Sequence, residues 1–435
     1  MSKHTLKILQ TDTLEIKALA VWETSGSCLG HFRQRSRVIL AIVIVVISVS
    51  TFLYSNLYTP GKDEFEILSF PASSVVLAAV GDCSGYNIAR YRGESADPLV
   101  SVRSLIEKSD IFVFNMEGAL LPPEYLGFST HHPQQSCFVS PPSFAGLMKV
   151  GKLTVATLAN NHILDGGGIG VKETRKALEA NGIHHVGAGS NAMEACQPLL
   201  LTVKGVKIGF LAYNLVNELA FSAREEGPGA ASFVACNVTQ DLCRVRREAD
   251  VLVVVLHWGR SWTEVVASSQ IVIAERMFEA GADLVIGHHP HMLQAIKAYE
   301  NKLAIFSLGN FVLRPDYSMP SDAHNSLVAF IEIAERKVRR CYLCPVRLDD
   351  HGVPRLPTEL EAKVILSNLA DLSEAFNTEI VTKKRVGVID MPDDKSVAVE
   401  IVVSHFVPAL SAHGLLLQRL LCHNSGGPDR MHLIN

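Results

Sequence analysis

No excess of basic residues runs through this chain: 40 Lys and Arg stand against 44 Asp and Glu, for a formal net charge of −4. Gripping a nucleic-acid backbone takes a Lys/Arg-rich stripe. None is visible, so nucleic acid is excluded as a partner. The glycine run Gly166-Gly167-Gly168 lacks the Gly-Lys-Ser/Thr ending of a nucleotide-cradling loop, which excludes an ATP-driven ligase. Cys341-x-x-Cys344 has no second Cys-x-x-Cys to complete a structural zinc site. Internal repeats and low-complexity tracts are also absent.

Charge is missing altogether from Val38–Tyr54. As a helix this run reaches roughly 25 Å, the short end for spanning a bilayer, and the uncharged stretch continues to Gly61. Arg33, Arg35 and Arg37 immediately precede it and favour a cytosolic N-terminus. The leader is long and no small-x-small cleavage site follows, so a signal anchor is expected rather than a cleaved signal peptide. The expected organisation is a cytosolic tail (1–37), a single-pass transmembrane anchor (38–58), a stalk (59–73), an extracytoplasmic or lumenal domain (74–383) and an extension (384–435). Eight cysteines follow the anchor, enough for up to four disulfides in an oxidising compartment. Asn237-Val238-Thr239 is an N-glycosylation acceptor, usable only if the host glycosylates and the domain is lumenal.

From Val75 short apolar runs alternate with helical stretches. Strands are expected at Val75–Val80, Ile111–Asn115, Leu153–Leu158, Val206–Tyr213, Val251–Leu256, Leu284–Ile286, Leu303–Ser307 and Leu327–Ile333. Helices are expected at Gly170–Ala180, Val265–Ala280 and Thr358–Phe376. Uninterrupted apolar strands are buried on both faces, and their alternation with helices predicts an α/β architecture. Side chains at the carboxyl ends of parallel strands share one crevice, and the polar motifs of this chain fall at such ends. Asp82 follows Gly81 after the first strand and reads as a metal ligand, a general base or a turn cap. Glu117 leaves the second strand where a carboxylate is poorly solvated, as a ligand or an ion-pair partner. Asn160-Asn161-His162 follows the third: Asn161 offers a carbonyl ligand, and His162 can donate a proton near neutral pH. Asp165 is a helix cap or a site residue.

His257 ends a further strand, and Gly287-His288-His289-Pro290-His291 ends the next. Imidazole suits zinc, manganese and iron centres, and three histidines within four residues are hard to explain as packing. Alternation along an extended segment turns His289 and His291 the same way and His288 away from them. Asn310 closes another apolar strand and lines the crevice. Trp258 reads chiefly as packing.

Taken in order, these motifs resemble the capsule-synthesis protein CapA family, associated with poly-γ-glutamate biosynthesis. They are Gly81-Asp82, Asn115-Met116-Glu117, Ala159-Asn160-Asn161-His162 with Asp165, Val186-Gly187-Ala188-Gly189, His257-Trp258-Gly259, Gln270, Gly287-His288-His289-Pro290-His291 with Gln294, and Ser307-Leu308-Gly309-Asn310-Phe311. The resemblance covers roughly Val75 to Ile380. It implies a calcineurin-like metallophosphoesterase fold, two central sheets flanked by helices, around a divalent metal (Mn, Zn, Fe or Mg). On it, Asp82, Glu117, Asn161, His257, His289 and His291 match metal ligands. His162 matches the catalytic acid and Asp82 a catalytic position, while Asn160, Asp165 and Asn310 are expected to touch substrate. The sequence departs from the family pattern at Cys83-Ser84, where a His often follows the Asp, and at Ser261, where many members carry Glu; Glu264 lies nearby. The implied role is synthesis, export or processing of an anionic polymer such as poly-γ-glutamate, alongside other capsule-synthesis subunits. A non-catalytic scaffold retaining the fold and a generic metal-dependent phosphoesterase acting on a small molecule are the alternatives.

Overall fold

The computed structural model describes residues 67–86, 96–122, 125, 137–313 and 320–392. The expected anchor at 38–58 lies outside these residues. Among the described residues no helix is long and apolar enough to cross a membrane. The end of the expected stalk packs on the domain: Leu68 is buried, and the Phe70 ring lies 5.8 Å from that of Phe330 and 5.3 Å from that of Tyr342.

The chain builds two sheets in turn. β1 (Val75–Cys83), β2 (Ile111–Met116), β3 (Leu153–Thr157) and the short β4 (His184–Val186) run parallel in the first. β5 (Leu199–Val203), β6 (Val206–Asn214), β7 (Val251–His257), β8 (Leu284–His288), β9 (Ile296–Tyr299) and β10 (Lys302–Ile305) form the second. The chain then returns to the first sheet with β11 (Asn310–Val312), β12 (Asn325–Ala334), β13 (Lys337–Leu348), β14 (Val381–Lys383) and β15 (Val386–Asp390). The spatial orders are β14-β15-β13-β12-β1-β2-β3-β4, with β11 beside β1, and β9-β10-β8-β7-β6-β5. In the second sheet β6, β7, β8 and β10 are parallel, whereas β12 is antiparallel to both β1 and β13. The result is an α/β fold with mixed sheets.

Strand periodicity sorts the core into three layers. Val75, Leu77 and Ala79 of β1 face Phe210, Val253 and Ile286 of the second sheet. Val76, Ala78 and Val80 point the other way, toward Phe144 of α1 (Ser143–Met148) and Val171 and Leu178 of α2 (Gly167–Ala180). On the far side, Leu252, Val254 and Leu256 of β7 meet Leu242 of α3 (Val238–Arg246) and Met277 and Phe278 of α4 (Ser268–Glu279). Both faces of the central strands are therefore dry, which explains their unbroken apolar sequence. Burying each such side chain contributes about 1.5–3 kcal/mol. Thr358 opens α5 (Glu359–Glu374) with a capping box: its hydroxyl accepts from Glu361 N, and Glu361 accepts from Thr358 N at 2.7 Å.

Two close backbone passages hold the strand ends. β1 pairs with β12 as far as Ala79, then continues beside β11 with Asp82 opposite Asn310. Gly81 sits at that switch, where a Cβ would lie 2.1 Å from Gly309 O. At Gly287 in β8 a Cβ would lie 1.9 Å from Phe306 O and 2.5 Å from Trp258 Nε1. Trp258 is buried and donates its indole N–H to Phe306 O at 3.0 Å, so its role is packing.

Of the eight cysteines after the anchor, Cys196 and Cys236 form the disulfide present among the described residues. Cys83, Cys341 and Cys344 are buried thiols. Cys341 faces the inter-sheet core and Cys344 the opposite face of β13, so the Cys-x-x-Cys spacing cannot converge on an ion. Asn237 of the glycosylation acceptor is exposed and caps α3, accepting from Gln240 N at 3.3 Å.

Gly287→Ala is expected to lower unfolding free energy by about 3 kcal/mol, because the methyl collides with backbone rather than with a side chain that can yield. Gly146→Ala meets only the Asn181 side chain at 3.0 Å and should stay within about 1 kcal/mol of wild type. Urea denaturation measures both.

Candidate metal centre

Asp82, Asn115, Glu117 and Asn160 emerge at the carboxyl ends of β1, β2 and β3, and His257 and His288 end β7 and β8. The two sheets thus bring carboxylates and imidazoles together across their interface. Asp82, Glu117 and His291 offer ligand atoms that all lie within 4.8 Å of one another, and all three are buried.

The Asp82 carboxylate is well supplied with donors. Its Oδ1 accepts from Asn115 Nδ2 at 2.8 Å, and its Oδ2 accepts from the His289 backbone N–H at 3.2 Å. His291 Nδ1 lies 3.3 Å from Oδ2. His288 Nδ1 lies 2.9 Å from Oδ1 at ion-pair distance, but neither ring nitrogen of His288 is aligned for a hydrogen bond. Burial alone would raise the Asp82 pKa; the contacts with His288 and His291 outweigh it and hold the carboxyl well below its usual range.

Glu117 is the opposite case. It is fully buried, and neither carboxylate oxygen has a hydrogen-bond partner. Its nearest basic groups are His291 Nε2 at 3.7 Å and His257 Nε2 at 3.9 Å, both from Oε1. Burial, and then the neighbouring Asp82 charge, push its pKa up to about 7. An unsatisfied carboxylate in such surroundings costs several kcal/mol unless a cation reaches it.

The imidazoles differ in kind. Asn310 Nδ2 donates to His291 O at 3.4 Å and to Ala323 O at 3.2 Å, which turns Asn310 Oδ1 toward His291 Nδ1 at 2.9 Å. Nδ1 therefore carries a proton, and Nε2 is the ring atom on the Glu117 side, free to bind a cation once its own proton is displaced. Burial opposes the His291 cation, but Glu117 and Asp82 prevail and raise its pKa to about 9. His289 is driven down to about 3 by burial and the His291 charge; His257 is held well below its usual value by burial and by His289. The His257 ring centroid lies 4.9 Å from that of His289, and His257 Nε2 lies 2.7 Å from Asn161 Oδ1.

All six expected ligands thus fall around one cluster: Asp82, Glu117 and His291 at its centre, His257 and Asn161 beyond Glu117, and His289 against His257 and His291. The three residues expected to touch substrate have another use. Asn160 is fully buried and donates to Asn115 Oδ1 and Met116 O while accepting from His162 N. Asp165 does not cap α2, whose cap residue Gly166 has no side-chain bond. Instead its Oδ2 accepts from Phe138 N at 2.6 Å and lies 2.9 Å from His162 Nδ1. Asn310 fixes His291. All three are buried beneath the site, because each polar side chain there needs internal partners.

His288 and Trp262 were not expected to belong, and Ser261 was noted only as a departure from the family pattern. The alternation argument fails at His288 because the chain is no longer extended beyond it: His289 has φ +93° and His291 φ +56°. Ser261 Oγ lies 3.1 Å from His289 Nε2, and the Trp262 ring stacks on His291 with centroids 4.8 Å apart. The doubled histidine before Pro290 was the available signal for the first. Ser261 was marked by its departure from the family pattern, and nothing in the sequence marked Trp262. A separate cavity of about 860 Å³, lined by Ala192, Leu215, Glu218 and Ser232 among others, contains none of these site residues. Leu215 in its lining donates its backbone N–H to His257 O at 2.9 Å.

Comparison with known proteins follows the same stretch of chain. The family model of the bacterial capsule synthesis protein PGA_cap matches residues 76–315. The PGA biosynthesis protein CapA of Bacillus subtilis is 27% identical over 359 residues, 80% of this chain and 90% of that protein. The capsule biosynthesis protein CapA of Bacillus anthracis is 32% identical over 180 residues, but the alignment spans 40% of this chain and only 44% of that relative. A probable polyglutamine synthesis accessory protein of Mycobacterium tuberculosis is 29% identical over 248 residues, covering 53% and 64%. Among solved structures, a putative 5′-nucleotidase from Staphylococcus aureus is 17% identical at a TM-score of 0.42, covering 68% of this chain and 58% of its own. The NAD nucleotidase of Haemophilus influenzae is 13% identical at 0.38, covering 68% and 56%. Superpositions at that level assign neither fold nor activity. The sequence match does assign a family: with its ordered motifs gathered at one buried centre, this chain belongs to the bacterial capsule synthesis protein PGA_cap family.

Proposed function

We propose that this protein is an accessory factor in the synthesis, export or processing of an anionic polymer such as poly-γ-glutamate. We propose further that residues 38–58 anchor it in a membrane and that its domain carries a metal-dependent hydrolytic centre on a calcineurin-like metallophosphoesterase scaffold. The polymer role rests on the family and on the roles its relatives' names carry. The hydrolytic reading rests on one observation above all: Glu117, fully buried between carboxylate and imidazoles, with neither oxygen hydrogen-bonded.

Such a group calls for a cation, and the donor set fits a divalent one. Two carboxylates and neutral imidazoles suit Mn, Zn, Fe or Mg to differing degrees. Asp82, Glu117 and His291 would hold it, with His257, Asn161 and His289 alongside. When bound, the ion would supply Lewis acidity toward a phosphoryl or amide-like oxygen and lower the pKa of water. The chain's own groups supply the rest. Asp165 anchors His162 at Nδ1, and the Phe138 ring packs on the imidazole with centroids 4.4 Å apart. This leaves His162 Nε2 to pass a proton to the leaving oxygen. His162 is half-buried with a face toward solvent, and its neighbour Asn161 reaches His257 of the centre at 2.7 Å.

Purified protein is expected to retain a divalent metal by elemental analysis, and Glu117→Ala with His291→Ala to lose it. His162→Ala should keep the metal but lose about 10²–10⁴-fold in hydrolysis of poly-γ-glutamate or a generic phosphate ester. Metal-free wild type together with a fully active His162→Ala overturns the hydrolytic reading and leaves the scaffold alternative.

A second test uses pH. The folded pKa of Glu117, about 7, lies above the usual 4.5, so the native state binds the extra proton between these values. Glu117 contributes stability that is lost as pH rises from 4.5 to 7. His257 and His289, held below the usual histidine value, contribute the opposite slope up to about 6.5. The Glu117 part is therefore read from chelator-treated wild type against a Glu117 variant. Glu117→Gln should remove this part of the slope, and added divalent cation should restore the melting temperature of wild type only.

A further inference from the structure

We propose that the Ser261-Trp262 pair is a positioning clamp that sets the two imidazoles of the His289-Pro290-His291 turn for metal binding. The inference rests on the metal reading above. Trp262 stacks on His291 at 4.8 Å and 23° between planes. Ser261 Oγ reaches His289 Nε2 at 3.1 Å, and Trp262 N–H donates to Pro290 O at 2.8 Å. Two consecutive residues thus touch the whole turn.

The backbone on both sides of the contact is held in an unfavourable region. Trp262 has φ +61°, His289 +93° and His291 +56°. Each such non-glycine conformation is strained and persists only where its surroundings over-determine it. The surroundings here are explicit. Downstream of Trp262, Gln294 Nε2 donates to Thr263 O at 3.0 Å and Val265 O at 3.2 Å, and Gln270 Nε2 donates to Gln294 Oε1 at 3.0 Å. Both glutamines are fully buried. This amide pair ties the segment to α4 and presses the indole onto the imidazole.

The geometry gives the clamp a specific task. Asn310 and Asp82 both meet His291 at Nδ1, and neither contacts the face of the ring. The indole fixes the ring plane, so that Nε2 stays on the Glu117 side at 3.7 Å. Trp262 acts through His291 and is a positioning residue, comparable to the outer partners that orient metal-ligating histidines elsewhere.

The test measures Mn²⁺ and Zn²⁺ affinity of the full chain by calorimetry. Trp262→Ala should weaken binding by about 10–100-fold. Trp262→Phe, which keeps an aromatic face, should stay within about threefold of wild type, and Ser261→Ala should lose less than about tenfold. Trp262 is 38% exposed, so these variants are expected to fold, as melting curves check. Should Trp262→Ala not fold, Trp262→Leu keeps bulk without the stack and carries the same expected loss. Wild-type affinity in whichever of these two variants is folded overturns the clamp while leaving the metal reading intact. Wild-type protein that binds neither ion overturns both.

Discussion

Two carboxylates without solvent are the constraint on which the rest of this structure turns. Asp82 and Glu117 are each 0% exposed and lie close enough for their charges to repel. Asp82 is compensated by an amide, a backbone N–H and nearby imidazoles. Neither carboxylate oxygen of Glu117 has a hydrogen bond. Of the nearby histidines, His257 and His289 are held neutral by burial, and His291 is pushed toward the cation. Glu117 in turn is pushed toward its neutral form. A divalent ion among Asp82, Glu117 and His291 would relieve the cost of that arrangement in a low-dielectric core.

That constraint explains the architecture around it. A site assembled from two sheets must keep the strand ends in register across their interface, and close backbone passages do this more rigidly than side-chain packing. Gly81 lets β1 pass from β12 to β11, which sets Asp82 opposite Asn310. Gly287 lets β8 lie against Phe306 beneath the Trp258 indole. Bonds and close contacts from Asn115 to Asp82, from Asn160 to Asn115, from Asp165 to His162 and from Asn310 to His291 then form a buried polar floor. Such a floor is stable only when every member is satisfied, which makes the unsatisfied Glu117 more telling.

Much of this was legible in the sequence, for identifiable reasons. The eight expected strands are all present because strands dry on both faces leave unbroken Val, Ile, Leu and Phe runs. β13 was missed because Arg339, Arg340 and Pro345 interrupt its pattern. Its pairing with β12 and β15 overrides what its composition suggests. β15 lies past Lys383, where the apolar pattern is too short to stand out. The strand-end Asp, Glu, Asn and His residues were readable because the carboxyl ends of parallel strands converge. His288 and Trp262 were not, since their placement depends on left-handed backbone conformations in two facing loops. No side-chain periodicity encodes those.

The exposure pattern around the centre adds a direction of approach. Asp82, Glu117, Asn160, Asp165, His257 and Asn310 are buried, whereas Asn161, His162 and Ser261 are half-buried and Trp262 is exposed. The gripping groups and their floor thus lie inward, and the accessible members form a rim. Asn161 and His162 come from the first sheet's β3 end, and Ser261 and Trp262 from the second sheet's β7 end. An approach from solvent therefore passes His162 and the indole before the buried carboxylates. Asn160, Asp165 and Asn310 keep their internal partners because buried amide and carboxylate groups need them.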